Sequence, residues 1–468
     1  EAAYTSLLPS RRQALHAAAA QALEVLYAER PEPIAALLAY HYAASEQTAK
    51  AVGSLTHVAT QVAQQGAHPE ALATLQATLA YVERLPPAER TARRLELALQ
   101  HAEVLFNLGR WQETAALLVQ QQPLVGQQGD TRLEGRYALL LSQTQSQLGA
   151  WDQAVQQGCR AVEKARAGHD DVTLGQAYQV LAMARYWEGE VREGLDCSQF
   201  AITLLERPQE RTRLGLAHCV LALNALVLGD FACALEATAE AHTIGQELGD
   251  PHLQTFAAWA TGWIQATRGE WEAGLTACQR GVEWAPDPLS AAFALGWLGY
   301  AYLEQGDAEQ AIAPLQQAIQ GMRQFAYGRL QGLYTIFLGE THLAQGDAEA
   351  AYTVVCRGLE MVTSSRYRFG MGWAQRALGR IAQSRGTLAL AQVALTEALQ
   401  TFDALGARFE AGRTQLALAD LASAANDHDV AATHVTEAHK VFTDLRVPVY
   451  VQRVKQQAQA LGLPFASV

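Results

Sequence analysis

The sequence predicts an all-α solenoid of about ten helix-turn-helix repeats, each about 40 residues long. Three observations predict it. A turn residue followed five positions later by a small residue recurs along nearly the whole chain. The segments on either side of each turn are apolar at helical spacing. Ala, Leu and Gln dominate the composition, prolines number only 14 in 468 residues, and no region alternates Val, Ile and Thr as strands do.

The recurrence is plainest in LEQGDAEQAI (303–312) and LAQGDAEAAY (343–352). The same pattern aligns Gly66/Ala71, Gly109 (with Thr114 and Ala115), Gly149/Ala154, Gly189/Gly194, Gly229/Ala234, Gly269/Gly274, Gly306/Ala311, Gly346/Ala351, Gly386/Ala391 and Asn426/Ala431. The spacings are 43, 40, 40, 40, 40, 37, 40, 40 and 40. The 43 coincides with Pro86-Pro87 and the 37 with Pro286 and Pro288, which stop one helix early and start the next. The turn residue needs the left-handed backbone region, which Gly adopts freely and Asn tolerates, hence Asn426 as the one substitute.

The first helix of a unit is exemplified by 293–305, with Leu295, Leu298 and Tyr302 on one stripe, and the second by 308–322, with Ala311, Leu315 and Ala318. Small residues stand where the two must approach: Ala182, Ala222, Gly262, Gly299, Gly339 and Gly379. Aromatics just after the turn (Trp111, Trp151, Phe231, Trp271) are placed to pack back on the first helix. Asp230, Glu270, Asp307 and Asp347 suit the start of the second helix as caps or dipole partners, not as ligands.

Composition bounds function. A net charge of −12 and a pI near 5.6 argue against nucleic acid as the main partner. The most apolar segment, 214–229, is interrupted by His218 and Asn224, so no membrane span is expected. The six cysteines form no CxxC pair and read as reduced core residues of a cytoplasmic protein. No Gly-Lys dipeptide exists, so there is no phosphate loop of the Walker type; HExxH and GxSxG are also absent. These point to no enzyme, no cofactor and no metal.

Units with Leu-Gly-x-x-Tyr in the first helix, Gly-Asp at the turn and Ala five residues on resemble tetratricopeptide repeats, the unit at 293–326 most of all. The usual repeat is 34 residues. The longer variety here is similar to the repeat arms of bacterial signal-transduction ATPases, such as maltose-regulator-type activators and cyclase–ATPase–repeat proteins. The segments at 2–24 and 34–52, with Tyr40, His41 and Tyr42, resemble the link between the winged-helix part of such ATPases and their arm. The resemblance implies a right-handed superhelix. It divides the chain into a helical lead-in at 1–48, a repeat array at 49–440, and a capping helix and tail at 441–468. It also implies that the nucleotide-binding part of the parent precedes Glu1, in keeping with a chain that does not begin with Met.

In such repeats, positions 13, 10, 6, 3 and 2 before the turn face the concave groove. Here they are Met183, Tyr186 and Trp187 in the fourth unit, and Phe256, Trp259 and Trp263 in the sixth. The seventh gives Phe293, Tyr300 and Glu304, the eighth Glu340, and the ninth Trp373, Arg376 and Arg380. Trp, Tyr and Arg carry binding energy in grooves. The alternative is that the longer helices turn these positions into inter-repeat packing. The resulting expectation is a groove that binds a protein or peptide partner and regulates an attached ATPase; the alternative is a small-molecule effector, such as an oligosaccharide, held by stacked Trp with Arg and Glu.

Overall fold

The computed structural model describes residues 7–27, 34–64 and 67–462. The expected turn at Gly66 and the tail from 463 onward lie outside the described residues. The chain divides into two compact units, Glu1–Val180 and Leu181–Val468.

Unit 1 begins with α1 (Pro9–Leu26) and α2 (Ala35–Ala44), followed by three helix pairs. These are α3 (Thr48–Gln64) with α4 (His68–Val82), α5 (Pro87–Asn107) with α6 (Trp111–Gln128), and α7 (Thr131–Gln147) with α8 (Trp151–Ala167). The unit boundary falls inside α9 (Asp171–Glu188), which pairs with α10 (Val191–Leu205). Unit 2 continues with α11 (Arg211–Leu228), α12 (Phe231–Leu248), α13 (Pro251–Arg268), α14 (Trp271–Trp284), α15 (Pro288–Gln305) and α16 (Ala308–Gln324). It ends with α17 (Gly328–Ala344), α18 (Ala348–Ser364), α19 (Arg368–Ser384), α20 (Leu388–Leu405), α21 (Arg408–Ala424), α22 (His428–Asp444) and a last helix, α23 (Pro448–Ala460). Within each unit consecutive helices pack on one another, and among the described residues there is no strand. The protein is an all-α helical repeat solenoid.

The turn chemistry follows the sequence. Nine turn residues from Gly109 to Asn426 have positive φ, from 62° at Asn426 to 95° at Gly306. Asp230, Asp307 and Asp347 each accept a hydrogen bond from the backbone N–H three residues on, at 2.9–3.1 Å, as does Asp427 at 3.2 Å. Glu270 makes no such bond. The joints between repeats use the same device where the sequence shows it less openly: Asp130, Asp250 and Asp287 cap α7, α13 and α15.

Each second helix buries one narrow stripe, as in Ala311, Leu315, Ala318 and Met322 on α16, or Ala391, Leu395, Ala398 and Phe402 on α20. The small residues of the first helices admit that stripe. A Cβ on Gly262 would lie 2.3 Å from Cys278 Sγ and 2.8 Å from the Gly274 carbonyl oxygen, so only Gly lets α13 and α14 meet there. The first helices of unit 2 are buried on more than one side. Pro208–Leu228 is long and apolar enough by composition to cross a membrane, yet Leu214, Val220, Leu223 and Val227 on it are packed inside unit 2. Asn224, fully buried there, donates from Nδ2 to the Val220 carbonyl at 3.0 Å.

The cysteines depart from the expectation. None of the six is in a disulfide, but only Cys219 and Cys278 are core residues, their thiols pushed well up by burial; Cys159 is exposed and the others are half-buried.

Unit 2 also returns on itself. A Cβ on Gly189 would lie 2.6 Å from Leu405 Cδ2, on Gly229 2.9 Å from Leu445 Cδ2, and on Gly269 2.8 Å from Val449 Cγ1. The turns of the fourth, fifth and sixth repeats therefore touch the ninth repeat, the end of the tenth, and α23. At Gly306, Gly346 and Gly386 a Cβ would meet nothing within 4 Å. Phe231 and Trp271 lie on this seam: Phe231 stacks edge-on with Phe409 at 5.5 Å, and Arg453 sits 5.2 Å over Trp271. These two aromatics serve the seam as well as their own first helices.

Candidate functional site

The fold-back decides the fate of the predicted groove. Tyr186, Trp187, Trp259, Trp263, Tyr300, Glu304, Glu340, Trp373 and Arg376 are all buried, Tyr300 completely. Met183, Phe256 and Phe293 are half-buried, and only Arg380 is exposed. As an open groove the set is therefore corrected: in this structure these side chains fill the inside of unit 2 and pack on one another. The first-helix faces of successive repeats have closed around them, which is the inter-repeat packing weighed against the groove in the sequence.

The structure brings most of the set together. Trp263 stacks on Trp297 at 3.6 Å, and Trp259 is parallel to both Phe293 and Trp297 at about 6 Å. Tyr300 and Phe337 lie 5.5 Å and 4.7 Å from Trp373. Trp187 packs edge-on against Tyr367 at 5.3 Å, and burial pushes the neighbouring Tyr186 hydroxyl up to about 12. Trp297 and Phe337, at the centre, are not ruler positions; their place could not be read from the turn spacing.

A polar network runs through the cluster. Arg413 Nη2 donates to Glu304 Oε1 at 2.7 Å, and the Tyr450 hydroxyl donates to Glu304 Oε2 at 2.9 Å. Arg376 donates to Glu410, and Arg413 approaches Glu410 at 3.8 Å. Thr267 and Tyr300 share a hydroxyl contact at 3.1 Å. Desolvation works against the Arg413 guanidinium, but Glu304 and the groups around it hold it firmly protonated. Burial, with Glu304 beside them, raises the Tyr300 and Tyr450 hydroxyls. Arg380 pairs with Glu340 at 3.0 Å along the neighbouring repeat. Arg413 stands 13 residues before Asn426, so the same ruler locates it.

In unit 1 some of the same positions are polar and less covered, while Leu99, Leu139 and Gln143 at others are buried. The first helices α3, α5 and α7 line a cleft of about 300 Å³, with Thr60, Ala63, Gln100, Glu103, Asn107 and Arg136 on its walls. Thr60, Glu103, Asn107 and Arg136 all occupy ruler positions before Gly66, Gly109 and Gly149. Sequence reasoning passed over them because they are not aromatic. Arg136 donates to Glu103 at 2.8 Å, both side chains being partly open to solvent. The Gln100 Oε1 atom is buried and accepts no hydrogen bond, and Gln143 Nε2, on the same face of α7, is likewise unpaired. Near α1, Tyr42 is buried with Leu38 and Ala51 and His41 meets His16 at 2.9 Å, while Tyr40 is exposed. Among the described residues no three His, Cys, Asp or Glu side chains are grouped to hold a metal.

Fold and repeat chemistry together are those of a tetratricopeptide-like helical repeat. More particularly, residues 175–369 match the family of the MalT-like TPR region. A solved Rap protein complexed with competence and sporulation factor is similar to this chain over 75% of its length and 98% of the Rap chain, with 12% identity and a TM-score of 0.62. The Rap conjugation gene regulator of plasmid pLS20, solved with a Phr peptide, covers 76% of this chain and 95% of its own at 12% identity, with a TM-score of 0.51. At such identities the likeness is one of fold. No curated protein matches the chain.

Proposed function

We propose that this protein is a non-enzymatic, cytoplasmic interaction arm that takes an extended segment of a partner protein on the first-helix face of unit 1 and regulates a signalling ATPase attached in cis. The observation that carries the reading is the cleft across α3, α5 and α7, with the buried, unpaired Gln100 carbonyl on its wall. A buried polar atom without a partner is costly, of the order of 1–3 kcal/mol, and a ligand that supplies the missing bond recovers that energy. Carboxamides and hydroxyls both donate and accept, as an extended peptide backbone requires; Gln100, Asn107 and Thr60 offer this, while Glu103 and Arg136 read charge. The Rap structures of similar fold hold a peptide or factor by their descriptions, which supports the same use of the fold here. Regulation requires that the peptide prefer one of two states of the parent.

The test is selection of binders from a displayed peptide library on the full chain, followed by calorimetry. Arg136→Ala should weaken a selected peptide by about tenfold or more, as expected for a charged hydrogen bond worth ~1.5–3 kcal/mol. Selected peptides that bind Arg136→Ala and Asn107→Ala variants as well as the parent would contradict the reading. The small-molecule reading has one observation in its favour, a cleft of about 450 Å³ in unit 2 lined by Arg268, Arg408 and Arg446 with Asp230 and Asp444, Arg408 being paired with Asp444 at 2.9 Å. A thermal-shift screen with anionic metabolites separates it from the peptide reading.

A further inference from the structure

The inner face of unit 2 is covered by the end of the same chain. Arg408–Ala460, comprising α21, α22 and α23, meets the turns of the fifth and sixth repeats and the inner side of the seventh. The contacts are of three kinds. Gly229 and Gly269 leave room for Leu445 and Val449, where any Cβ would intrude. Phe231 meets Phe409, and Trp271 lies under Arg453. Glu304 on α15 receives both Arg413 from α21 and Tyr450 from α23, partners 109 and 146 residues away in sequence.

The polar part is a closed charge set. Glu304 is 7% exposed, Glu410 5% and Arg376 2%, and the Arg413 side chain 16%. Two carboxylates meet two guanidiniums, so the formal charges cancel. Such buried pairs add little net stability over apolar packing of the same volume, because each ion loses its hydration. They are nevertheless selective in register, and an ion left behind alone is heavily penalised. When the two sides separate into water, by contrast, Glu304 and Arg413, the two ions that face each other across the seam, regain hydration. The seam thus joins a charge set to the apolar contacts of Leu445, Val449, Phe231 and Phe409, whereas the stripes between consecutive helices, such as Ala391, Leu395 and Leu418, are apolar throughout. A solenoid can accommodate the separation by small rotations spread over successive repeats, leaving each neighbour interface intact.

We propose that Arg408–Ala460 is a releasable clasp, locked by the Glu304–Arg413–Tyr450 contacts, which keeps the inner face of unit 2 shut and whose release presents Phe231, Trp271, Tyr300 and Glu304 to solvent while the repeats stay folded. The clasp has its own interior: Phe442 packs against Phe409 at 5.5 Å and against Tyr450 at 4.9 Å. It therefore holds together when it parts from the fifth to seventh repeats. In the closed state the inner aromatics and charges are unavailable to any partner. This inference concerns unit 2 alone and stands independently of peptide binding to unit 1.

Hydroxyl-radical footprinting of the full chain, without added ligand, tests it. In the parent protein Phe231, Tyr300, Phe409 and Tyr450 should be protected. Glu304→Gln and Arg413→Met should each raise modification of these four by about tenfold or more, with Tyr334 and Phe337, buried between consecutive repeats, unchanged. The double replacement Glu304→Leu with Arg413→Met should restore protection to the parent level or better, since it removes both charges at similar volume. A rise at all six residues together would mean unfolding and overturn the clasp. So would no change in the single variants, or a double variant as open as the singles.

Discussion

Replacing Gly269 by Ala, with Gly306→Ala as its partner experiment, tests the seam most sharply. Both glycines end a first helix with strongly positive φ, 86° and 95°. Any L-residue there loses about 1–2 kcal/mol to the left-handed backbone. At Gly306 nothing else is lost, because a Cβ meets no atom within 4 Å. At Gly269 the added methyl would sit 2.8 Å from Val449 Cγ1, 2.9 Å from its Cβ and 3.1 Å from Cγ2. A β-branched side chain cannot swing three atoms aside by rotating one bond, so the excess is an overpacking term of about 1–3 kcal/mol. Urea unfolding followed by circular dichroism should therefore show about 1–2 kcal/mol lost for Gly306→Ala and about 2–5 for Gly269→Ala. Val449→Ala in the Gly269→Ala background should return about 1 kcal/mol or more of that excess as coupling between the two sites. Equal losses at the two glycines, or additive behaviour of Gly269 and Val449, would refute the fold-back of α23 onto the sixth turn.

Other consequences follow from the packing and the charges. Gly262→Ala should destabilise by about 1–3 kcal/mol despite the better helix propensity of Ala, since the methyl would press on Cys278 Sγ and on backbone atoms of α14; thermal melting reads this directly. Asp287→Ala removes acceptors for Leu289 N and Ser290 N, both at 2.9 Å, and should cost about 1 kcal/mol with the loss centred on α15 in hydrogen exchange. Burial holds His101, His218 and His434 below the ordinary histidine value of about 6.5. Their folded pKa values are lower than the unfolded ones, so the stability they allow is complete above about pH 6.5 and falls as pH drops below it. Stability measured in steps from pH 7.5 to 5.5 should decline, and a His218→Gln variant should decline less steeply; a parent protein more stable at the acid end would contradict this.

Much of the fold was legible because repeat geometry is written locally. The glycine of each turn, Asn426 in its place, and the caps Asp230, Asp307 and Asp347 all act within five residues of themselves. Some joints were less legible: His169, Ala326, Arg366 and Arg446 adopt positive φ with no Gly or Asn to announce it. The inside of unit 2 was misjudged for a different reason. Whether position 300 faces a groove or a core depends on the curvature summed over several repeats, and its contacts lie more than a hundred residues away, as with Arg413 and Tyr300. No short-range pattern records that curvature. The same ruler also marks Arg136, Glu103, Asn107 and Arg413. Most aromatics at these marks are buried by neighbouring repeats in unit 2, and in unit 1 Thr60, Glu103, Asn107 and Arg136 at the same marks line a cleft.

Partner binding on the first-helix face of unit 1 is the proposal on which the functional reading depends. Site-specific photocrosslinking with a library-selected peptide measures it most directly, with the crosslinker placed in turn at Asn107, Gln147 and, on the second-helix side, Gln153. The account predicts peptide capture at Asn107 and Gln147 and none at Gln153. Capture at Gln153 alone, or equal capture at all three, would contradict it.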